Sequence, residues 1–246
     1  MADTDSLESR GFLSAEIDEF RAYCRQTHAK LFAICEAKSN DSTRRLFSTN
    51  IPGVFGPEKL HLTLALGFWN RCLSTCQAAI LLCERGMVPE SQVLIRSAYE
   101  FLFFAVATAQ DRDVLDSLMH GDTYARHEQA KCMLKEGTKT GQLTQEQIEA
   151  LKKIIVSGSG KRPLSAFEAA DRAGMSYYYA TVYKGMSLVG AHATAASTDA
   201  VFEENSGGFS PVFGPSDKNL EFCIGLIDKC LEEGAKHFHP ILQSAN

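Results

Sequence analysis

Arg96 and Glu100 lie four residues apart in the stretch 93–109, whose other positions are mostly apolar. On a helix that spacing places both on one face, one turn apart. Such a pair needs partners, because an ion left unpaired in a protein interior costs several kcal/mol. A guanidinium steered by a neighbouring carboxylate can clip two helices together, or it can hold an anion or a base. A second polar group, Tyr183, Ser187 and His192, closes another apolar-patterned helix and opens a loop rich in small residues. Tyr183 and Ser187 share a face, and His192 falls just past Gly190, the expected helix end. A histidine among Ala191, Ala193, Ala195 and Ala196 is easy to approach and titrates near neutrality, so it suits acid or base work as well as a bond to a backbone carbonyl. The expectation is one composite site with Arg96, Glu100 and His192 as reactive members and Tyr183 and Ser187 as ligand-binding residues.

Other constellations say less. His120, Tyr124 and His127 are spaced for one helix face, but Arg126 and Glu128 beside them suit a solvated surface equally well. His61 and Trp69 read as core or groove residues. The run His127-Glu128-Gln129-Ala130-Lys131 lacks the second His of a zinc-protease helix, and the run 158–161 has the wrong spacing for a phosphate loop, with Arg162 where Ser or Thr belongs. No nucleophile elbow of the G-x-S-x-G kind occurs. Eight cysteines are present, with no C-x-x-C pair. Cys72/Cys76 (i, i+4), Cys76/Cys83 and Cys223/Cys230 (both i, i+7) follow helix faces, so core packing explains them, and neither a metal nor another cofactor is expected.

The elements that position these residues follow from periodicity and punctuation. A first helix is predicted over 15–38 behind Ser14 as N-cap, then a turn-rich connection over 39–56. Pro57 suits the first turn of a helix over 57–85, and Gly86 suits its stop. That helix is apolar nearly all round, which marks a central helix. Pro89 opens the next, to about Gln110. A helix over 111–136 with a break near Gly121, a turn at 137–141, a capping box of Thr144 and Gln147 opening 144–156, a linker at 157–160, and helices over 163–173 and 176–190 follow. Residues 193–215 are irregular. They hold a candidate hairpin around Ser206-Gly207-Gly208, weakened by Pro211, and carry Phe202, Phe209 and Phe213, which suit a lid over the site or a homodimer contact. Ser216 is expected to cap the last helix. The reading is an all-α protein: a flexible N-terminus over 1–13, then a single helical bundle domain of about seven or eight helices over 14–246, with a long irregular loop before the last helix.

Composition narrows the function. The chain has 246 residues, 45% hydrophobic and 22% charged, with a net charge of −5 and no basic tract. That excludes a broad nucleic-acid footprint but not a small RNA or nucleotide site. The acidic start and the lack of an 18-residue apolar run, for which 60–83 comes nearest, predict a cytoplasmic protein without a membrane partner.

Three blocks carry a family resemblance: Gly86-Met87-Val88-Pro89-Glu90 leading to Leu94-Ile95-Arg96-Ser97-Ala98-Tyr99-Glu100; Tyr183-Lys184-Gly185-Met186-Ser187 through His192; and the small-residue loop that follows. Together, over about 60–230, they resemble the prokaryotic helical family of unknown function catalogued as fifty-six seventy-seven. The resemblance implies a helical fold and a site at Arg96, Glu100, Tyr183, Ser187 and His192, but no reaction. Such bundles are also distantly similar to the higher eukaryote and prokaryote nucleotide-binding superfamily, many of whose members are ribonucleases carrying Arg, four to six residues, then His. Arg112 and His120 are too far apart for that pattern, and Arg126-His127 has no gap, so a ribonuclease would have to draw its Arg and His from different helices. The function expected is therefore that of an interaction or regulatory, defence-associated protein, as a homo-oligomer or with another partner. The alternative is an RNase or nucleotide-handling enzyme using Arg96 for phosphate and His192 as acid or base.

Overall fold

The computed structural model describes residues 5–49, 59–158, 162–212 and 214–244. It is 79% helical, with one two-stranded sheet among the described residues, so the all-α reading stands. A short helix α1 (Leu7–Arg10) and a 3-10 turn (Gly11–Leu13) lead to α2 (Ile17–Thr27) and α3 (Ala29–Ser48). The single helix expected over 15–38 is thus two, broken at His28, whose backbone leaves the helical region at φ −109°, ψ 25°. Ser14 still serves the entry, its Oγ accepting from the Glu16 N–H at 3.2 Å. The connection expected at 39–56 is instead helical through Ser48; residues 50–58, including Pro57, lie outside the described residues. Its small polar residues read as turn formers, yet they find partners across the bundle. Ser39 Oγ accepts from Gln77 Nε2 at 3.0 Å, and Ser42 Oγ lies 3.0 Å from His239 Nε2. Tertiary bonds of this kind override weak local propensity.

Helix α4 (Leu60–Cys83) is the centre of the bundle, with Ala65, Leu66, Trp69, Cys72, Leu73, Cys76, Ala79, Ile80 and Cys83 buried. It stops at Gly86, whose φ of +70° lets the Gly86 and Met87 N–H groups turn back to the Cys83 and Leu82 carbonyls, both at 3.0 Å. α5 (Val88–Gln110) follows with Pro89 in its first turn, and α4 and α5 form the most extensively packed helix pair. By length and composition alone α5, rather than α4, comes nearest to a membrane-crossing helix. Its packing against α4 and several further helices accounts for that apolarity.

α6 (Asp113–Thr140) runs unbroken through Gly121, where the missing side chain leaves room for Pro163: a Cβ would lie 2.7 Å from the proline Cβ. α7 (Gln145–Val156) and α8 (Ala166–Arg172) both begin with complete capping boxes, Thr144/Gln147 and Ser165/Glu168. α9 is a continuous helical segment over 176–191. A 3-10 turn (Ala195–Val201) leads to a hairpin of β1 (Phe202–Asn205) and β2 (Gly208–Pro211), antiparallel and in register Phe202 to Pro211. The last helix, α10 (Leu220–Gln243), packs on α3, α4 and α5 through Cys223, Ile224, Ile227, Cys230, Leu231 and Phe238. Its N-cap is Asn219 at φ 66°, not Ser216, whose Oγ accepts from the Lys218 N–H one turn earlier.

Candidate functional site

The site forms where α5 meets α9. Gly190 permits the contact: a Cβ there would lie 3.3 Å from Gln92 Cβ and 3.4 Å from the Val93 backbone nitrogen. α9 is not uniform. An α turn (Ser176–Tyr178) widens into a π turn (Tyr179–Tyr183), tightens over Lys184–Met186, and widens again over Ser187–Ala191. Each π turn closes bonds one residue farther along and so re-aims the side chains around it.

Arg96 is the hub. Its Nε donates to Ser187 Oγ at 3.2 Å, Nη1 donates to Glu100 Oε2 at 2.6 Å, and Nη2 donates to the Tyr183 hydroxyl. The guanidinium carbon also lies 4.3 Å from the centroid of the Tyr183 ring. Ser187 in turn donates to the Tyr183 carbonyl at 2.7 Å. Tyr183 stacks on Tyr179 with centroids 5.1 Å apart and planes at 18°, and Lys184 Nζ lies 5.7 Å from the Tyr179 ring. Two cations thus bracket a pair of stacked phenols, a favourable use of ring faces worth about 0.5–2 kcal/mol per cation. Burial first, then the Glu100 charge, pushes the Tyr183 phenol above its usual range, so it stays neutral.

The structure therefore brings Arg96, Glu100, Tyr183 and Ser187 together. The pair is half-buried rather than buried, with side chains 22% and 33% exposed. Three of the five guanidinium N–H directions are committed to protein partners, so at rest the arrangement is a clip between α5 and α9 with one edge open to water. His192 follows the second π turn directly, exposed and in extended backbone at φ −121°, ψ 145°. Among the described residues no hydrogen bond joins it to the other four. The exit is tied down instead by Thr194, whose Oγ1 donates to the Leu188 carbonyl at 2.8 Å.

Other expected groups resolve differently. His127 is buried with Nδ1 3.2 Å from Glu128 Oε1, while His120 is exposed, and no hydrogen bond links the two. His61 and Trp69 are core residues; burial first, then Arg112, pushes the His61 imidazole below its usual range. Phe202 and Phe209 are 47% and 74% exposed, so neither anchors a lid to the bundle, and Phe213 lies outside the described residues.

Two arrangements around α2 are not visible in the sequence reading. Glu84 is fully buried and takes Arg21 Nε at 2.7 Å, Arg25 Nε at 2.6 Å and Arg85 Nη1 at 2.9 Å, fastening α2 to the end of α4. Its partners are 59 and 63 residues distant, apart from Arg85. Arg21 and His28 also have the ribonuclease spacing, six residues between them. Arg21 is held by Glu84, however, and His28 Nδ1 lies 3.3 Å from Glu221 Oε1, an acidic setting that repels phosphate.

A family model described as "Family of unknown function (DUF5677)" matches residues 62–209, more than half of the chain. The chain belongs to this family. The matched span holds Arg96, Glu100, Tyr183, Ser187 and His192, and it ends at the hairpin rather than near residue 230. No curated protein and no solved structure matches the chain. Members of this family come with no stated activity, so function is argued from the site itself.

Proposed function

We propose that this protein works by binding a partner, in a regulatory or defence-associated setting in the cytoplasm, and not by turning over a substrate. The observation that carries this reading is the state of Arg96. Its charge is met by Glu100, its Nε by Ser187, its Nη2 and its face by Tyr183. A phosphate would have to displace Glu100 or lie beside it, against like-charge repulsion. The clip is better suited to fixing the exit of α9, and with it the 3-10 turn and hairpin that project Val201, Phe202 and Phe209 into solvent. Exposed aromatic side chains on an edge hairpin favour contact with another protein, and a second copy of the chain is the simplest occupant.

The test has two arms. Light scattering after size exclusion, across concentration, is expected to give a dimer that Phe209→Asp returns to a monomer. RNA and nucleotide turnover by the wild type is expected to be absent. Turnover that His192→Ala abolishes would overturn the proposal in favour of phosphoryl chemistry with Arg96 as the anion holder.

A further inference from the structure

Three of the seven buried cysteines come together away from the Arg96 site. Cys72 and Cys76 lie one turn apart on α4, and Cys230 reaches them from α10. Their Sγ atoms all lie within 4.8 Å of one another, with Cys72 and Cys230 at 3.6 Å. All three side chains are buried. Packing alone asks only that small apolar groups fill the seam; it does not ask that three sulfurs point at one spot.

We propose that Cys72, Cys76 and Cys230 form a binding site for a single monovalent copper ion. Three sulfurs sharing one ion at about 2.3 Å are about 3.8 Å apart in tetrahedral and about 4.0 Å apart in trigonal arrangement. The observed spacing approaches that triangle, and side-chain torsions alone can close the remainder. Among the described residues no histidine or carboxylate joins the group. The nearby Tyr99 hydroxyl is engaged, donating to the Leu226 carbonyl at 3.0 Å. Structural zinc requires a fourth ligand and catalytic zinc a water, whereas soft monovalent copper is satisfied by thiolates alone.

Copper(I) is held by deprotonated sulfur, so uptake releases the thiol protons of the ligating cysteines to solvent.

The experiment uses the full-length protein carrying Cys132→Ser, which removes the one exposed thiol. Reduced and oxygen-free, it is titrated with copper(I) against a chromophoric copper(I) chelator. The expected result is one ion per chain, a sulfur-to-copper ultraviolet band, and X-ray absorption showing three sulfur neighbours. Cys230→Ala and Cys72→Ser are expected to weaken binding by about 100-fold or more. Cys35→Ala, a buried cysteine on α3 outside the cluster, is expected to leave binding unchanged, and circular dichroism checks that each variant is folded. No uptake by the parent protein, uptake equal in the cluster variants and the Cys35 control, or zinc(II) bound in preference to copper(I) would each overturn the assignment.

Discussion

Gly234 of α10 lies beneath Trp69, and the consequence can be worked numerically. A methyl group at 234 would sit 2.1 Å from Trp69 Cζ3, 2.3 Å from Cη2 and 2.9 Å from Cε3. Carbon pairs rest at about 3.5–4.0 Å, so the indole would have to move by roughly 1.4 Å. It has nowhere to go: Trp69 is fully buried and stacked on Phe238 at 5.3 Å with planes 9° apart. Overpacking a tight core costs about 1–3 kcal/mol, and a displacement this large belongs at the upper end. Alanine also regains about 1 kcal/mol of helix propensity over glycine. Gly234→Ala is therefore expected to destabilise the protein by about 2 kcal/mol, lowering Tm by about 4–8 °C in a chain of this size. Gly225 on the same helix is the control, since a Cβ there meets nothing within 4 Å. Gly225→Ala is expected to stabilise by about 0.5–1 kcal/mol, so the two variants should differ by about 2.5–3 kcal/mol. Urea unfolding, followed by circular dichroism and by fluorescence, measures both, and Trp69 is the sole tryptophan, so emission reports on the contact itself. A Gly234→Ala protein as stable as wild type, with unchanged emission, would refute the packing argument.

The remaining expectations concern charge and thiols. Glu84→Gln leaves Arg21, Arg25 and Arg85 without their shared carboxylate and should lower stability by about 2 kcal/mol in urea, less than a fully buried pair would because the arginines are partly exposed. A double-mutant cycle of Arg96→Met and Glu100→Gln should return a coupling of about 0.5–1 kcal/mol; a value near zero would show that Tyr183 and Ser187 alone hold Arg96. Burial depresses the His61, His237 and His239 imidazoles, so the unfolded chain binds more protons. Stability is then full above the ordinary histidine pKa and falls as pH drops through it, and urea midpoints between pH 7.5 and 5 should decline. A thiol reagent should modify one cysteine, Cys132, in the native protein and all eight after unfolding.

Much of this arrangement was legible from residue types. α4 read as central because no polar face interrupts it, and Trp69, Cys72 and Cys76 are indeed buried. Arg96, Glu100, Tyr183, Ser187 and His192 read as one site because each is a polar exception in or just past an apolar helix; the first four meet, and among the described residues no hydrogen bond brings His192 to them. Long-range partnership was not legible. Glu84 looks like any charge at a helix end until α2 brings Arg21 and Arg25 against it. Ser39 and Ser42 look like turn residues until Gln77 and His239 reach them. His28 carries no breaker signal, yet the chain bends there. Tyr179 was overlooked although it stands four residues before Tyr183, the spacing that stacks them. Cys230 could not be joined to Cys72 and Cys76 by any spacing rule, since 158 residues separate it from Cys72.

The two π turns in α9 make the length of that segment, and not only its side chains, part of the design. Each accommodates a residue that an α-helix spanning the same rise would omit. Removing one residue between 187 and 191 would let the backbone relax into ordinary α winding over nearly the same rise and rotation, whereas removing one residue from an α turn, or inserting one, rotates everything beyond it by about 100°. After a change of the second kind His192 and the hairpin would face a different direction with no change in their composition. Alanine scanning cannot detect a dependence of this kind. Single-residue deletion and insertion can, because the quantity being set is the rotational phase between the Arg96 clip and whatever the hairpin meets.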